Sequence, residues 1–130
     1  MKKLIAFISI ATVVLLLAGC SSTSTATNLD AAAFSAKTAE AGVVILDVRT
    51  PEEFMAGHIQ GAINIDVEGV GFDTEIAKLD KEATYAVYCR SGRRSVVAVD
   101  AMEKNGFSKL FNLSDGVIDW QANSLPLVTS

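Results

Sequence analysis

Beyond its first twenty residues the chain repeats one pattern: a short apolar run closed by polar or turn-forming residues, then a stretch with helical character. Val43-Val44-Ile45-Leu46 is continuously apolar, as expected of a strand buried on both faces of a parallel sheet, and Asp47-Val48-Arg49-Thr50 ends it. Thr84-Tyr85-Ala86-Val87-Tyr88 alternates and is rich in β-formers, which predicts a second strand. Lys109-Leu110-Phe111-Asn112-Leu113 reads as a last strand, and Gly61-Ala62-Ile63-Asn64-Ile65 as a further short one. Asn28 is the predicted cap of a helix through Leu29 to about Ala39. Thr50 caps a short helix that Pro51 opens, with Glu52 and Glu53 in its first turn and Gly57 as its stop. Phe72 to Leu79 is amphipathic, with Ile76 and Leu79 facing inward. Ser95 to Lys104 forms a helix that Asn105-Gly106 closes, and Val117 to Ala122 a short one carrying Trp120. Strands alternating with helices over about a hundred residues predict one α/β domain, a mainly parallel sheet covered by helices on both faces. No internal repeat or second domain is visible. Ligands of such sheets bind beyond the carboxyl ends of the strands.

The first twenty residues belong to another pattern. Met1-Lys2-Lys3 is a basic n-region, and Leu4 to Ala18 is an apolar run of 15 residues, shorter than the roughly 20 a spanning helix needs. It ends in Leu17-Ala18-Gly19-Cys20, which resembles the lipobox of bacterial lipoproteins. That resemblance implies cleavage before Cys20 and acylation of its thiol; an uncleaved membrane anchor is the other reading. The predicted organisation is a signal over 1–19, a lipidated Ser/Thr-rich tether over 20–27 and a domain over 28–130. Either reading puts the domain at a membrane in the bacterial cell envelope, on the periplasmic or extracytoplasmic side. Ser21 lacks the aspartate character associated with inner-membrane retention, which points to the outer membrane if the cell has two.

The whole chain carries a net charge of −4; loss of residues 1–19 removes two of 11 basic residues and none of 15 acidic ones, leaving −6. An acidic domain of this kind argues against a nucleic-acid partner. Two cysteines and one histidine, far apart, offer no structural zinc site, and no cofactor or metal is expected. With Cys20 lipidated, Cys89 has no partner for an internal disulfide, and an unpaired thiol in an exported protein suggests reactivity.

The surroundings of Cys89 strengthen that suggestion. It stands where a strand ends and a short loop, Arg90-Ser91-Gly92-Arg93-Arg94, returns the chain to a helix beginning at Ser95. Loop amides and the helix dipole can converge on one anion there, first of all the thiolate. Together with three arginines they should lower the thiol pKa below about 8.5. The competing reading is an inert core cysteine.

Three stretches carry a resemblance. They are Asp47-Val48-Arg49-Thr50-Pro51-Glu52-Glu53-Phe54 continuing through Gly57-His58-Ile59-Gln60-Gly61-Ala62-Ile63-Asn64-Ile65, then Val87 to Ser95, then Asn112-Leu113-Ser114-Asp115-Gly116 with Trp120 and Leu125-Pro126-Leu127. In this order they resemble a single-domain rhodanese, a sulfurtransferase with a three-layer α/β fold. The resemblance implies that Cys89 attacks the outer sulfur of a small anionic donor such as thiosulfate, releases sulfite, holds the sulfur as a persulfide and passes it to a thiol or cyanide. Amides of residues 90 to 95, with Ser91, Gly92 and Ser95 among them, would hold the persulfide, and Arg90, Arg93 and Arg94 would draw in the donor. Which arginine orients it stays open. Two departures from the family pattern, Asp115 for a glycine and Asp66 for a common proline, are expected to lie away from the loop.

Asp47, Arg49, Glu53 and His58 have two readings. One makes His58 a general base for Cys89. The other is structural: Asp47 closes a strand, Arg49 and Glu53 pair across a turn, and His58 bonds to backbone. The family relies on a loop-stabilised thiolate, which favours the second. Trp120 is expected to pack the end of the domain. Phosphatase and arsenate-reductase chemistry occurs on similar folds but uses a cysteine and an arginine separated by five residues; here four separate Cys89 from Arg94. A persulfide carrier or partner-binding module, handing sulfur to another protein, remains a further alternative.

Overall fold

The computed structural model describes residues 24–129. The signal segment, the lipobox with Cys20 and the tether up to residue 23 lie outside the described residues. Among those described, no helix is long and apolar enough to cross a membrane.

Five parallel strands form one sheet: β1 (Thr27–Leu29), β2 (Val43–Asp47), β3 (Ile63–Asn64), β4 (Thr84–Tyr88) and β5 (Leu110–Leu113), in the order β1-β5-β4-β2-β3. The helices are α1 (Ala31–Thr38), α2 (Pro51–Ala56), α3 (Phe72–Ile76), α4 (Arg93–Lys104) and α5 (Gly116–Ala122). The predicted architecture is present, an α/β fold with a parallel sheet and helices on both faces. The central strands β2 and β4 are buried on both sides over most of their length, as the continuous apolar run of β2 predicted.

Each face of the sheet has its own core. On one, α3 and α4 cover Leu46, Tyr85, Val87 and Leu110 with Phe72, Ile76, Ala98, Val99 and Met102. On the other, α1 and α5 bring Phe34, Val117 and Trp120 against Ile45, Ala86, Tyr88 and Leu113. Phe34 meets both Tyr88 and Trp120 edge-on, at 6.2 and 6.3 Å between ring centroids. Trp120 donates its indole N–H to Pro126 O at 2.9 Å and so closes the end of the domain.

The amino-terminal part departs from the sequence expectation. Asn28 does not cap a helix; it lies inside β1, paired with Asn112 of β5, whose amide donates to Asn28 Oδ1 at 2.9 Å. Asp30 is the cap instead, accepting from the Ala33 amide at 2.8 Å, and α1 starts two residues later than predicted. The preceding residues also make contacts: Ser24, Thr25 and the Ala26 amide all donate to Glu103 Oε1 near the end of α4. The stretch predicted as a tether over 20–27 therefore joins the fold by Ser24.

The start of α2 matches the prediction. Thr50 and Glu53 cap each other reciprocally with Pro51 as the first helical residue, an arrangement that satisfies two otherwise orphaned amides. Helix α4 begins at Arg93, ahead of the predicted Ser95, because Gly92 adopts φ +99° and turns the chain into the helix.

Candidate active site

Strand β4 ends at Tyr88, and Cys89 follows it at the carboxyl edge of the sheet. Its side chain is folded inward, with the residue 1% exposed. The Gly92 amide donates to Cys89 Sγ at 3.1 Å. The thiol reaches Ser95 Oγ at 3.5 Å, and the Ser95 hydroxyl donates to Gly92 O at 3.1 Å. Burial pushes the Cys89 thiol up, but the Ser95 hydroxyl, which can turn its proton from Gly92 O to the ionised sulfur, and the amides of Ser95, Gly92 and Ser91 together outweigh it, and the net shift is downward. Hydrogen bonds to the charged form produce this result; they stabilise the thiolate in a site that water cannot solvate. The loop amides thus do what the sequence suggested, and the arginines are secondary to them.

The loop has a rigid backing that the sequence did not disclose. The Val117 amide donates to Cys89 O at 2.9 Å and the Ile118 amide to Arg90 O at 3.1 Å. Gly116, at φ +66°, brings α5 so close that a Cβ there would lie 2.3 Å from Arg90 C and O and 2.5 Å from Ser91 N. A Cβ on Gly92 would lie 1.9 Å from Ser114 O. Asp115-Gly116 was expected away from the cysteine loop; it forms the loop's back wall. The signal available beforehand was a glycine opening a helix, a position where glycine is otherwise a poor choice.

The three arginines part company. Arg90 and Arg93 are exposed, whereas Arg94 is half-buried and clamped by Glu53 through Nη1–Oε2 at 2.7 Å and Nη2–Oε1 at 2.9 Å. This bidentate bond, opposed by burial and aided by the Thr50 amide, holds the Glu53 carboxyl down at about 2. Glu53 was expected to pair with Arg49. Arg49 instead binds Asp47, Nη2 to Oδ2 at 2.6 Å and Nε to Oδ1 at 3.0 Å, and donates to Gly57 O at 2.7 Å. Both members of that ion pair are buried. Asn64 ties the same corner by donating to Asp47 O and Arg49 O, at 3.0 and 2.9 Å.

His58 is buried in that corner. Nδ1–H donates to Phe54 O at 2.9 Å, the ring stacks on Phe54 at 3.8 Å, and the backbone bridges to Val128 in both directions. The Cys89 sulfur is served by Gly92 and Ser95, and His58 has no bond to it. The geometry thus matches the structural reading of His58. Tyr88 belongs to the same scaffold: its phenol oxygen accepts from the Ile59 amide at 3.0 Å, and burial followed by the Asp47 charge pushes its pKa up, keeping it neutral.

The model of the rhodanese-like domain matches residues 30–123. This chain belongs to the rhodanese-like family. A protein named "Sulfurtransferase" from Allochromatium vinosum is 31% identical over 86 residues, 66% of this chain and 78% of that protein. "Thiosulfate sulfurtransferase PspE" from Escherichia coli is 39% identical over 67 residues, 52% of this chain and 64% of that protein. Other relatives are much longer: the match spans 21% of "Probable adenylyltransferase/sulfurtransferase MoeZ" from Mycobacterium tuberculosis, at 34% identity over 65% of this chain. Among solved structures, a rhodanese-related protein from Thermoplasma volcanium superposes with a TM-score of 0.66 at 27% identity, covering 80% of this chain and 99% of that one. A rhodanese-like domain protein from Staphylococcus aureus gives a TM-score of 0.64 at 28% identity, covering 72% and 90%.

Proposed function

We propose that this rhodanese-like domain is a sulfurtransferase that carries sulfane sulfur on Cys89. The thiolate attacks the outer sulfur of thiosulfate or a similar donor. A new bond forms between Cys89 Sγ and that sulfur, the donor's S–S bond breaks, and sulfite leaves with the electron pair. A thiol or cyanide then attacks the outer sulfur of the persulfide, and the Cys89 thiolate is regenerated.

The observation that carries this reading is the amide and hydroxyl cradle around Sγ. It lowers the thiol pKa in a pocket that leaves the sulfur almost no exposed surface. A sulfur so buried, in a loop with four residues between Cys89 and Arg94, suits a single sulfur atom at the tip of a donor, with the sulfonate end left outside beside the exposed Arg90 and Arg93. It disfavours phosphate or arsenate, whose oxygens need a wider ring, and Arg94 is already engaged by Glu53. The sulfurtransferase names of the relatives from Allochromatium and Escherichia point the same way.

The test is mass spectrometry of the protein after thiosulfate treatment. Wild type gains one sulfur on Cys89, and Cys89→Ser gains none. Ready hydrolysis of an aryl phosphate without any gain of sulfur would overturn the proposal. Attachment to the cell envelope through a lipidated Cys20 belongs to the same proposal and rests on the Leu17-Ala18-Gly19-Cys20 pattern.

A further inference from the structure

A second hollow opens beside the cysteine loop, on the side away from α5. It encloses about 230 Å³ and is lined by Val67, Glu68, Arg93, Arg94 and Val97. Val67 and Val97 give it apolar surface, and its charges are of both signs. Arg94 is already satisfied by Glu53, but among the described residues neither Glu68 nor Arg93 makes an ion pair. Both are exposed. The hollow thus offers one unengaged carboxylate and one unengaged guanidinium across an apolar floor.

Three features tie the hollow to the reactive sulfur. Arg93 is the first residue of α4, directly after the Gly92 that cradles Sγ. Val67 packs against the cluster that contains Cys89, and its amide donates to Val48 O next to β4. Arg94, held chiefly by Glu53, also senses the charges of both Cys89 and Glu68. A molecule seated beside Glu68 and Arg93 therefore lies along the start of α4, against the loop that holds Cys89 Sγ.

Resting on the sulfurtransferase reading above, we infer that this hollow is the acceptor subsite and that it selects a thiol that is also a zwitterionic amino acid. The acceptor's carboxylate pairs with Arg93, its ammonium with Glu68, and its methylenes lie on Val67 and Val97. Its thiol releases a proton to solvent, and the resulting thiolate attacks the outer persulfide sulfur. An S–S bond forms on the acceptor and the Cys89–sulfur bond breaks. The electron pair returns to Cys89 Sγ under the Gly92 amide and Ser95 hydroxyl, and the product leaves as the acceptor's persulfide. A surface ion pair of this kind contributes up to about 1 kcal/mol, roughly a fivefold change in affinity.

The experiment compares three acceptors with the 130-residue chain: cysteine, cysteamine, which lacks the carboxylate, and 3-mercaptopropionate, which lacks the ammonium. Wild type should show its lowest KM for cysteine. Glu68→Gln should raise KM about fivefold for cysteine and for cysteamine, leave 3-mercaptopropionate no worse, and leave the yield of persulfide from thiosulfate unchanged. Glu68→Lys should reverse the preference toward 3-mercaptopropionate. Normal persulfide yield with equal effects on all three acceptors, or with none, would overturn the inference and leave the sulfurtransferase reading standing. Binding of unreactive S-methylcysteine, followed by NMR shifts of the Val67, Glu68, Arg93 and Val97 amides, reads the subsite without the chemistry. Shifts lost in Glu68→Gln support the subsite even if thiosulfate leaves no sulfur on Cys89, and their absence in wild type refutes it.

Discussion

Replacing Gly116 with alanine should disable the cysteine loop from behind, although residue 116 never touches the sulfur. Its backbone sits at φ +66°, a conformation that costs an L-residue with a Cβ about 1–2 kcal/mol. The added carbon would also meet Arg90 C and O at 2.3 Å and Ser91 N at 2.5 Å, all backbone atoms of the loop. No side chain can swing aside, so α5 and the loop must part by several tenths of an ångström. That movement strains or breaks the bonds from the Val117 and Ile118 amides to Cys89 O and Arg90 O. At about 1 kcal/mol for each bond, the total loss is about 3–4 kcal/mol, a large share of a domain's usual ~5–15 kcal/mol. For a domain of this size that corresponds to a fall in Tm of at least about 12 °C. Circular dichroism melting gives the stability. Sulfur mass on Cys89, measured well below the mutant's Tm, reports the loop separately and should fall as the amides lose register on Sγ. An alanine variant that melts within about 2 °C of wild type and loads sulfur equally well would refute the role given to this contact.

Other outcomes follow from the same geometry. Alkylation rate against pH should place the Cys89 midpoint below the ordinary thiol value of about 8.5; a midpoint at or above it would contradict the hydrogen-bonded cradle. Because the folded value is depressed, the stability that Cys89 contributes is present above the unfolded pKa and is lost as pH falls through the folded one. Glu53→Gln should cost about 1–2 kcal/mol after allowance for solvent screening. In wild type that contribution is full above the ordinary carboxyl value of 4.5 and drains away as pH falls through about 2; equal acid sensitivity of mutant and wild type in urea titrations would contradict it. Cys20→Ser should move the protein from the membrane to the soluble fraction of cells, and continued membrane retention after signal removal would refute lipidation there.

Residue pattern predicts some parts of this molecule well and others poorly, for identifiable reasons. The apolar run Val43–Leu46 and the stretch Thr84–Tyr88 are legible because central strands bury both faces. Thr50-Pro51-Glu52-Glu53 is legible because a capping box is completed within four residues. Strand β1 is not: three residues, two of them polar, become a strand only because the β5 edge is there to pair with them. The same limit explains the exchanged ion pairs. Glu53 has Arg49 four positions away, yet its partner is Arg94, 41 positions distant, brought near because β2 and β4 are adjacent parallel strands that deliver the starts of α2 and α4 to the same edge of the sheet. Arg49 is drawn to Asp47 because that carboxylate is fully buried at the strand end and would otherwise lie uncompensated in low dielectric. Cys89 was visible from the glycine and arginines around it, and the convergence of loop amides on its sulfur from the strand–loop–helix pattern; that Ser95 and Gly92 act on the sulfur more than the arginines do depends on distances that only the fold sets.

The direction of β1 also fixes how the molecule presents itself. Because β1 runs parallel to β4, the chain enters the sheet at the end opposite Cys89. Ser24, Thr25 and Ala26 are pinned there to Glu103, close to the last residue of α4, while the first residues of that helix flank the thiol. Glu103 is ten residues along the helix from Arg93, a rise of about 15 Å. Whatever holds the chain ahead of Ser24 therefore grips one pole of the domain, and the sulfur opens on the other. The lipid proposed at Cys20 would join the domain at the pole away from the thiol.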